Sequence, residues 1–134
     1  MKVAETGTWE SRRYFLRKDG IGFSMHHTIL YAGKTTLIHY KNHFEAVFIT
    51  KGHGTIELVG PGQKQGEGTV HKLEPGTAYA LDDPAADRHY LSASTDGDMH
   101  VVCAFYPPLT GTEDHDADGV YLPAEPKAPM PSEW

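Results

Sequence analysis

Between Gly33 and Gly52 the chain follows the spacing G-x5-H-x-K-x3-E-x6-G, which gathers His39, Lys41 and the carboxylate of Glu45 in one short stretch. Imidazole and carboxylate are nitrogen and oxygen donors, and the H-x-x-x-H spacing of His39 and His43 beside Glu45 invites a cation. Further on, Pro75-Gly76-Thr77-Ala78-Tyr79 ends in a phenol. A free tyrosine ionises near ~10, so Tyr79 would bind a cation as phenolate at neutral pH only if the cation's own charge lowered that value. Strand residues two apart share a face. An extended Trp9-x-Ser11-x-Arg13 therefore joins an aromatic plate, a hydroxyl and a guanidinium, and Val101-x-Cys103-x-Phe105 obeys the same rule. Glu113 and His115 follow a Pro107-Pro108-Leu109-Thr110-Gly111 turn and are spaced to act as an acid and base pair. Plainer readings stand beside these. Cys103 and Phe105 are also ordinary core residues, and Tyr79 is equally a core or rim residue. Asp114, Asp116 and Asp118 form a solvated acidic loop, since their calcium-ligand pattern is incomplete and no helices flank it.

Such side chains need a rigid frame, and the sequence predicts one made of strands. Short β-type runs are expected over 14–17, 22–31, 35–40, 45–51, 54–59, 77–81, 89–93 and 99–106. Turn signals separate them: Lys18-Asp19-Gly20, Ala32-Gly33, Lys51-Gly52, the glycine-rich stretch 60–68, Glu74-Pro75-Gly76 and Asp96-Gly97. No segment sustains a helical period. The fold class this implies is all-β, a small antiparallel barrel of jelly-roll type with little helix. Residues 1–121 are expected to form a single domain, and 122–134, rich in Pro and charge, a loose tail.

A chain of 134 residues suits one domain, and 39% hydrophobic with 22% charged residues marks a turn-rich globular protein. The net charge of -6 argues against nucleic acid as a partner. Arg12, Arg13, Arg17 and Lys18 cluster near the start, yet acidic residues dilute them, and a solvated face is expected. No apolar run approaches the ~20 residues of a membrane helix and no signal-peptide core is present, so no membrane partner and a cytoplasmic location are expected. A single cysteine, Cys103, excludes an intrachain disulfide and fits a reducing compartment.

The stretch from Gly33 to Gly52 is similar to the first cupin motif with its second histidine replaced by Lys41, and Pro75 to Tyr79 to the second motif with a phenol in place of a histidine ligand. Further blocks follow in order: Trp9-Glu10-Ser11-Arg12-Arg13, Gly22-Phe23-Ser24, Leu30-Tyr31-Ala32-Gly33, Tyr40-Lys41-Asn42-His43-Phe44-Glu45-Ala46-Val47, Tyr79-Ala80-Leu81-Asp82, Asp87-Arg88-His89-Tyr90-Leu91, and the Pro-Pro-Leu-Thr-Gly turn with Glu113 and His115. Together they resemble the ectoine synthase family of cupins, over 9–121.

That resemblance implies a metal-dependent lyase. Its substrate would be N4-acetyl-L-2,4-diaminobutyrate, closed by intramolecular condensation with loss of water into the compatible solute ectoine. Transferred by position, the metal ligands are Glu45, Tyr79 and His89, holding a divalent transition metal, Fe(II) first and zinc as the alternative. Substrate-binding positions are Trp9, Ser11, Arg13, Thr28, Cys103 and Phe105, with Arg13 clamping the carboxylate. Tyr40, Glu113 and His115 would move protons, with acid and base roles left open. His39 stands at the first-motif histidine position, where the family usually carries a non-ligand, and is an alternative fourth ligand. A homodimer is the family expectation. Two departures stand out: about two extra residues within Asp83-Pro84-Ala85-Ala86, and a short lead before Trp9. The second suggests that residues 1–13 are ordered only by substrate or a partner subunit. His26, His27, His53, His71 and His100 are expected at the surface or in supporting positions. The rival readings are another metal-dependent cupin enzyme, an oxygenase or sugar isomerase, and a non-enzymatic small-molecule-binding cupin.

Overall fold

A computed structural model describes residues 2–39, 43–81 and 88–109. Ten strands account for most of them: β1 (Lys2–Glu5), β2 (Trp9–Phe15), β3 (Ser24–Leu30), β4 (Thr35–Ile38), β5 (Phe44–Lys51), β6 (Gly54–Leu58), β7 (Thr69–Leu73), β8 (Ala78–Leu81), β9 (His89–Ala93) and β10 (Met99–Tyr106). They form a six-stranded sheet, β1-β2-β3-β10-β5-β8, and a four-stranded sheet, β4-β9-β6-β7. Every strand pairing is antiparallel.

The period-two alternation decides which side chains meet inside. Along β10, Met99, Val101, Cys103 and Phe105 are buried while the residues between them are partly exposed. On β5, Glu45, Val47 and Ile49 point inward, and on β9 His89, Leu91 and Ala93 do the same. These rows pack with Trp9, Leu30, Ile38, Ile56 and Leu81 into one core shared by both sheets. Each fully buried large aliphatic contributes roughly 1.5–3 kcal/mol. Gly52, which closes the motif begun at Gly33, turns the β5–β6 hairpin at φ 80°, and a Cβ there would overlap the Asp98 carbonyl oxygen.

Several strand expectations change. The run predicted over 14–17 is the end of a longer strand, β2, which stops at Phe15; Arg17–Asp19 is a 3-10 turn. Asp19 Oδ2 accepts the Leu16 N–H at 2.8 Å, and Gly20 at φ 71° ends the turn. Two strands went unpredicted. β7 exposes four of its five residues, so it carries no hydrophobic alternation. β1 pairs with β2 from Lys2↔Arg13 to Glu5↔Glu10, and Thr6 Oγ1 accepts the Thr8 and Trp9 N–H groups to tighten the turn between them. Residues 2–13 thus find backbone partners within a single chain. Backbone ladders flank β2 on both sides, β1 on one and β3 on the other. The Pro-rich tail at 122–134 and the insertion within Asp83 to Ala86 lie outside the described residues. Among the described residues, no helix is long and apolar enough to cross a membrane.

Candidate active site

The inner face of the larger sheet is organised in rungs. Arg13 pairs with His26, His26 with Cys103, Cys103 with Val47 and Val47 with Tyr79, so one rung runs Arg13, His26, Cys103, Val47, Tyr79 across five strands. A neighbouring rung holds Ser24, Phe105, Glu45 and Leu81, and on the other side lie Ser11, Thr28 and Val101. Trp9, Ser11, His26, Thr28, Glu45, Tyr79, Leu91, Cys103 and Phe105 help to line a cavity of about 440 Å³, its open mouth included. Five of the six substrate-binding positions expected from the sequence thus meet at one cavity, together with two of the three expected metal ligands. The sixth, Arg13, is buried at the end of the first rung, beside His26.

Tyr79 Oη is buried and has no hydrogen-bond partner among the described residues. Burial above all, then the Glu45 carboxylate and the Cys103 thiol, push the phenol well above its ordinary ionisation range. It stays neutral unless a positive charge reaches its oxygen. Burial, followed by Glu45, likewise pushes the Cys103 thiol up, while Thr28 and Arg13 act in the opposite direction. Thr28 Oγ1 donates to Ser11 Oγ at 3.1 Å and lies 3.6 Å from Cys103 Sγ. Arg13 is only 3% exposed, and among the described residues its Nε has no partner and no carboxylate pairs with it. A buried cation in that condition is costly unless an anion joins it.

His89 is fully buried on the inward face of β9, two residues from the cavity-lining Leu91, but is not itself on the cavity wall. Among the described residues, no three His, Cys, Asp or Glu side chains gather as a metal-holding group. A site at Glu45 therefore depends on a phenol as donor, and the unpartnered Tyr79 oxygen fits that demand. His39 is buried just past β4, whose cavity-lining residue is Ile38. His43 Nδ1 donates to the Pro107 carbonyl at 2.9 Å and its ring meets Phe105 edge-on at 6.2 Å. Tyr40, Glu113 and His115, the expected proton-moving residues, lie outside the described residues.

The histidine expectation is corrected in part. His53 and His71 are exposed, but His26 is 1% exposed and sits on the cavity wall with its ring 5.1 Å from Phe105. The basic cluster also divides. Arg17 and Lys18 are exposed, Arg12 pairs with Glu10 at 3.7 Å, and Arg13 turns inside. Strand parity separates Arg12 from Arg13 and His26 from His27, a signal present in the sequence only once the direction of each strand's face is known.

The family model for ectoine synthase matches residues 1–125. The chain belongs to the ectoine synthase family. The L-ectoine synthase of Desulfatibacillum aliphaticivorans is 53% identical over 117 residues, which cover 87% of this chain and 82% of that one. The crystal structure of ectoine synthase from P. lautus superposes with a TM-score of 0.73 at 44% identity, over 98% of this chain and 86% of that chain. A cupin-2 domain from Rhodospirillum rubrum, with a TM-score of 0.60 at 15% identity over 78% of this chain and 66% of its own, shares the fold alone. The architecture is that of a cupin. As a member of the ectoine synthase family the chain is an enzyme, a carbon-oxygen lyase of the hydro-lyase class, which sets aside the oxygenase, isomerase and binding-module readings.

Proposed function

We propose that this ectoine synthase closes N4-acetyl-L-2,4-diaminobutyrate into ectoine in the cavity between the sheets, with a divalent transition metal, Fe(II) or alternatively zinc, held by Glu45, Tyr79 and His89. The observation that carries this reading is the buried Tyr79 oxygen, which lacks a partner among the described residues and senses the Glu45 carboxylate. Carboxylate, phenolate and imidazole suit iron or zinc. The chemistry such a cation supplies when bound is Lewis-acid polarisation of the acetyl carbonyl.

The α-amine attacks that carbonyl within the same molecule, and the adduct loses its hydroxyl as water. Arg13, buried and without a carboxylate partner among the described residues, would take the substrate carboxylate, with Ser11 and Thr28 as hydrogen-bonding neighbours. Trp9, Phe105, Cys103 and Leu91 would keep solvent from the reacting atoms. Holding a flexible chain in its ring-closing conformation is worth roughly 7–11 kcal/mol of the barrier. Tyr40, Glu113 and His115 are assigned the proton transfers: the ammonium must lose a proton and the departing hydroxyl must gain one.

The same reading takes the enzyme as a cytoplasmic homodimer. The buried free thiol of Cys103 suits a reducing compartment. Among the described residues β1 and β8 are the two edges of the larger sheet, where a second copy could pair. Metal analysis of the purified protein, with NMR detection of the cyclic product from the acetylated diamine, tests the proposal. About one metal per chain and product formation support it, whereas turnover by protein stripped of metal would overturn the metal assignment. Light scattering at micromolar concentration tests the dimer.

A further inference from the structure

We propose that Arg88 is a positioning residue for the metal site: its guanidinium braces the glycine-rich loop 60–68 against the start of β9 and so sets where the His89 imidazole stands. The inference rests on the reading of His89 as a metal ligand.

His89 is the first residue of β9. Strand alternation sends its side chain inward, where it is fully buried, and leaves Arg88 and Tyr90 half-buried on the opposite face. The His89 backbone is paired on both sides, with Ile38 of β4 and Leu58 of β6, and just ahead of it the Val59 N–H donates to the Arg88 carbonyl at 3.1 Å. A strand end is the part of a sheet that opens most readily, and a ligand placed there moves with it. The Arg88 side chain adds a second tie. Its Nη1 donates to the Gln63 carbonyl at 3.0 Å, and the guanidinium lies 5.8 Å from the centre of the Tyr90 ring, which keeps it along β9. Gln63 is itself fixed. Its N–H donates to the Gly60 carbonyl at 3.1 Å and its Oε1 accepts the Gly60 N–H at 2.7 Å, closing a tight turn with Gly62 at φ 77°. From β6, the Glu57 carboxylate accepts the Gly66 and Gly68 N–H groups. A Cβ at Gly68 would overlap the Leu58 carbonyl oxygen, so the loop lies directly on the residue that pairs with His89. The loop is thus clamped at two points, by Glu57 from β6 and by Arg88 from β9, and bridges the two strands beside His89. A metal ligand has to stand within about 0.2 Å of its bond distance, and groups that only orient a ligand typically change metal affinity by about 10–100-fold.

The test titrates Co(II) into the metal-free full chain, reading affinity by competition with a chelator and the donor set by visible absorption. Arg88→Ala should bind Co(II) about tenfold more weakly, and Arg88→Lys, which keeps a donor for the Gln63 carbonyl, should recover most of the loss. Glu57→Gln should weaken Co(II) in the same direction. The double variant should lose clearly less than the product of the two single losses, because both anchors act through one loop. Wild-type affinity and spectrum in Arg88→Ala would overturn the proposal even if that variant melted earlier, and losses that multiply in the double variant would remove the loop as the link. His89→Ala is the control for the metal reading: if it keeps wild-type Co(II) binding, that reading fails, whereas its loss of Co(II) beside an unchanged Arg88→Ala refutes the brace alone. Thermal melting of each metal-free variant confirms that folded protein is titrated, and Arg88→Gln replaces the alanine variant if the latter melts below the titration temperature.

Discussion

The Tyr79 hydroxyl and the Arg13 side chain are both buried, and both leave a polar group unmatched within the described protein. A buried donor left without a partner costs about 1–3 kcal/mol. Removing the unmatched group should therefore not weaken the metal-free fold. Tyr79→Phe is expected to lose most of the bound metal while the metal-free variant melts at or above the temperature of the metal-free parent; metal analysis and scanning calorimetry on matched samples check both halves. Full metal occupancy in Tyr79→Phe would refute its place as a donor. Arg13→Ala should keep its metal and raise KM by about 10–100-fold, the scale of a lost charge-assisted contact. Steady-state kinetics alongside metal content decide this, and wild-type behaviour would return Arg13 to a structural role.

Among the connections between elements, the glycine-rich loop after β6 has the most specific anchors. Glu57 is buried, and its carboxylate accepts the N–H of Gly66, at 2.7 and 3.0 Å, and of Gly68, at 2.8 Å. Arg88, beside the expected ligand His89, donates to the Gln63 carbonyl at 3.0 Å, and its own carbonyl accepts Val59 N–H at 3.1 Å. The loop is thus tied to the strand that carries His89. Glu57→Ala should cost about 2–3 kcal/mol, since it strands buried amide donors, and Glu57→Gln less. Urea denaturation measures the difference, and a loss below about 0.5 kcal/mol would show that the loop does not depend on these bonds.

For the whole molecule, the outer face of the larger sheet supplies a pH response separate from the cavity. His27 Nε2 lies 3.1 Å from His100 Nδ1, and Arg12 approaches the other His27 nitrogen at 3.5 Å. Burial first, then His100 and Arg12, lower the His27 pKa from 6.5, with Glu10 opposing. In the window from about 6.5 down to that lowered value, the unfolded chain binds more protons than the folded one. Stability from this site is therefore complete above 6.5 and falls as pH drops through the window. Melting temperatures between pH 5 and 8 should decline more steeply on the acid side for the parent than for His27→Gln; identical profiles would remove His27 from the account.

The sequence alone determined the ingredients: an all-β chain, strands within a residue or two over 35–38, 44–51, 54–58, 78–81, 89–93 and 99–106, and the residue types of the proposed Glu, Tyr and His site. Local alternation and turn chemistry suffice for this, because they act between near neighbours. The sequence did not show which face of a polar strand turns inward. In Met25-His26-His27-Thr28-Ile29-Leu30 both Ile29 and Leu30 are buried, so the apolar pattern does not choose between His26 and His27. Nor does it choose between Arg12 and Arg13. Only the tertiary structure decided these, by setting β2 against β3 and β3 against β10 in one register. A shift of one residue would exchange every inward side chain for its neighbour, and that register is fixed by pairings between segments far apart in the chain.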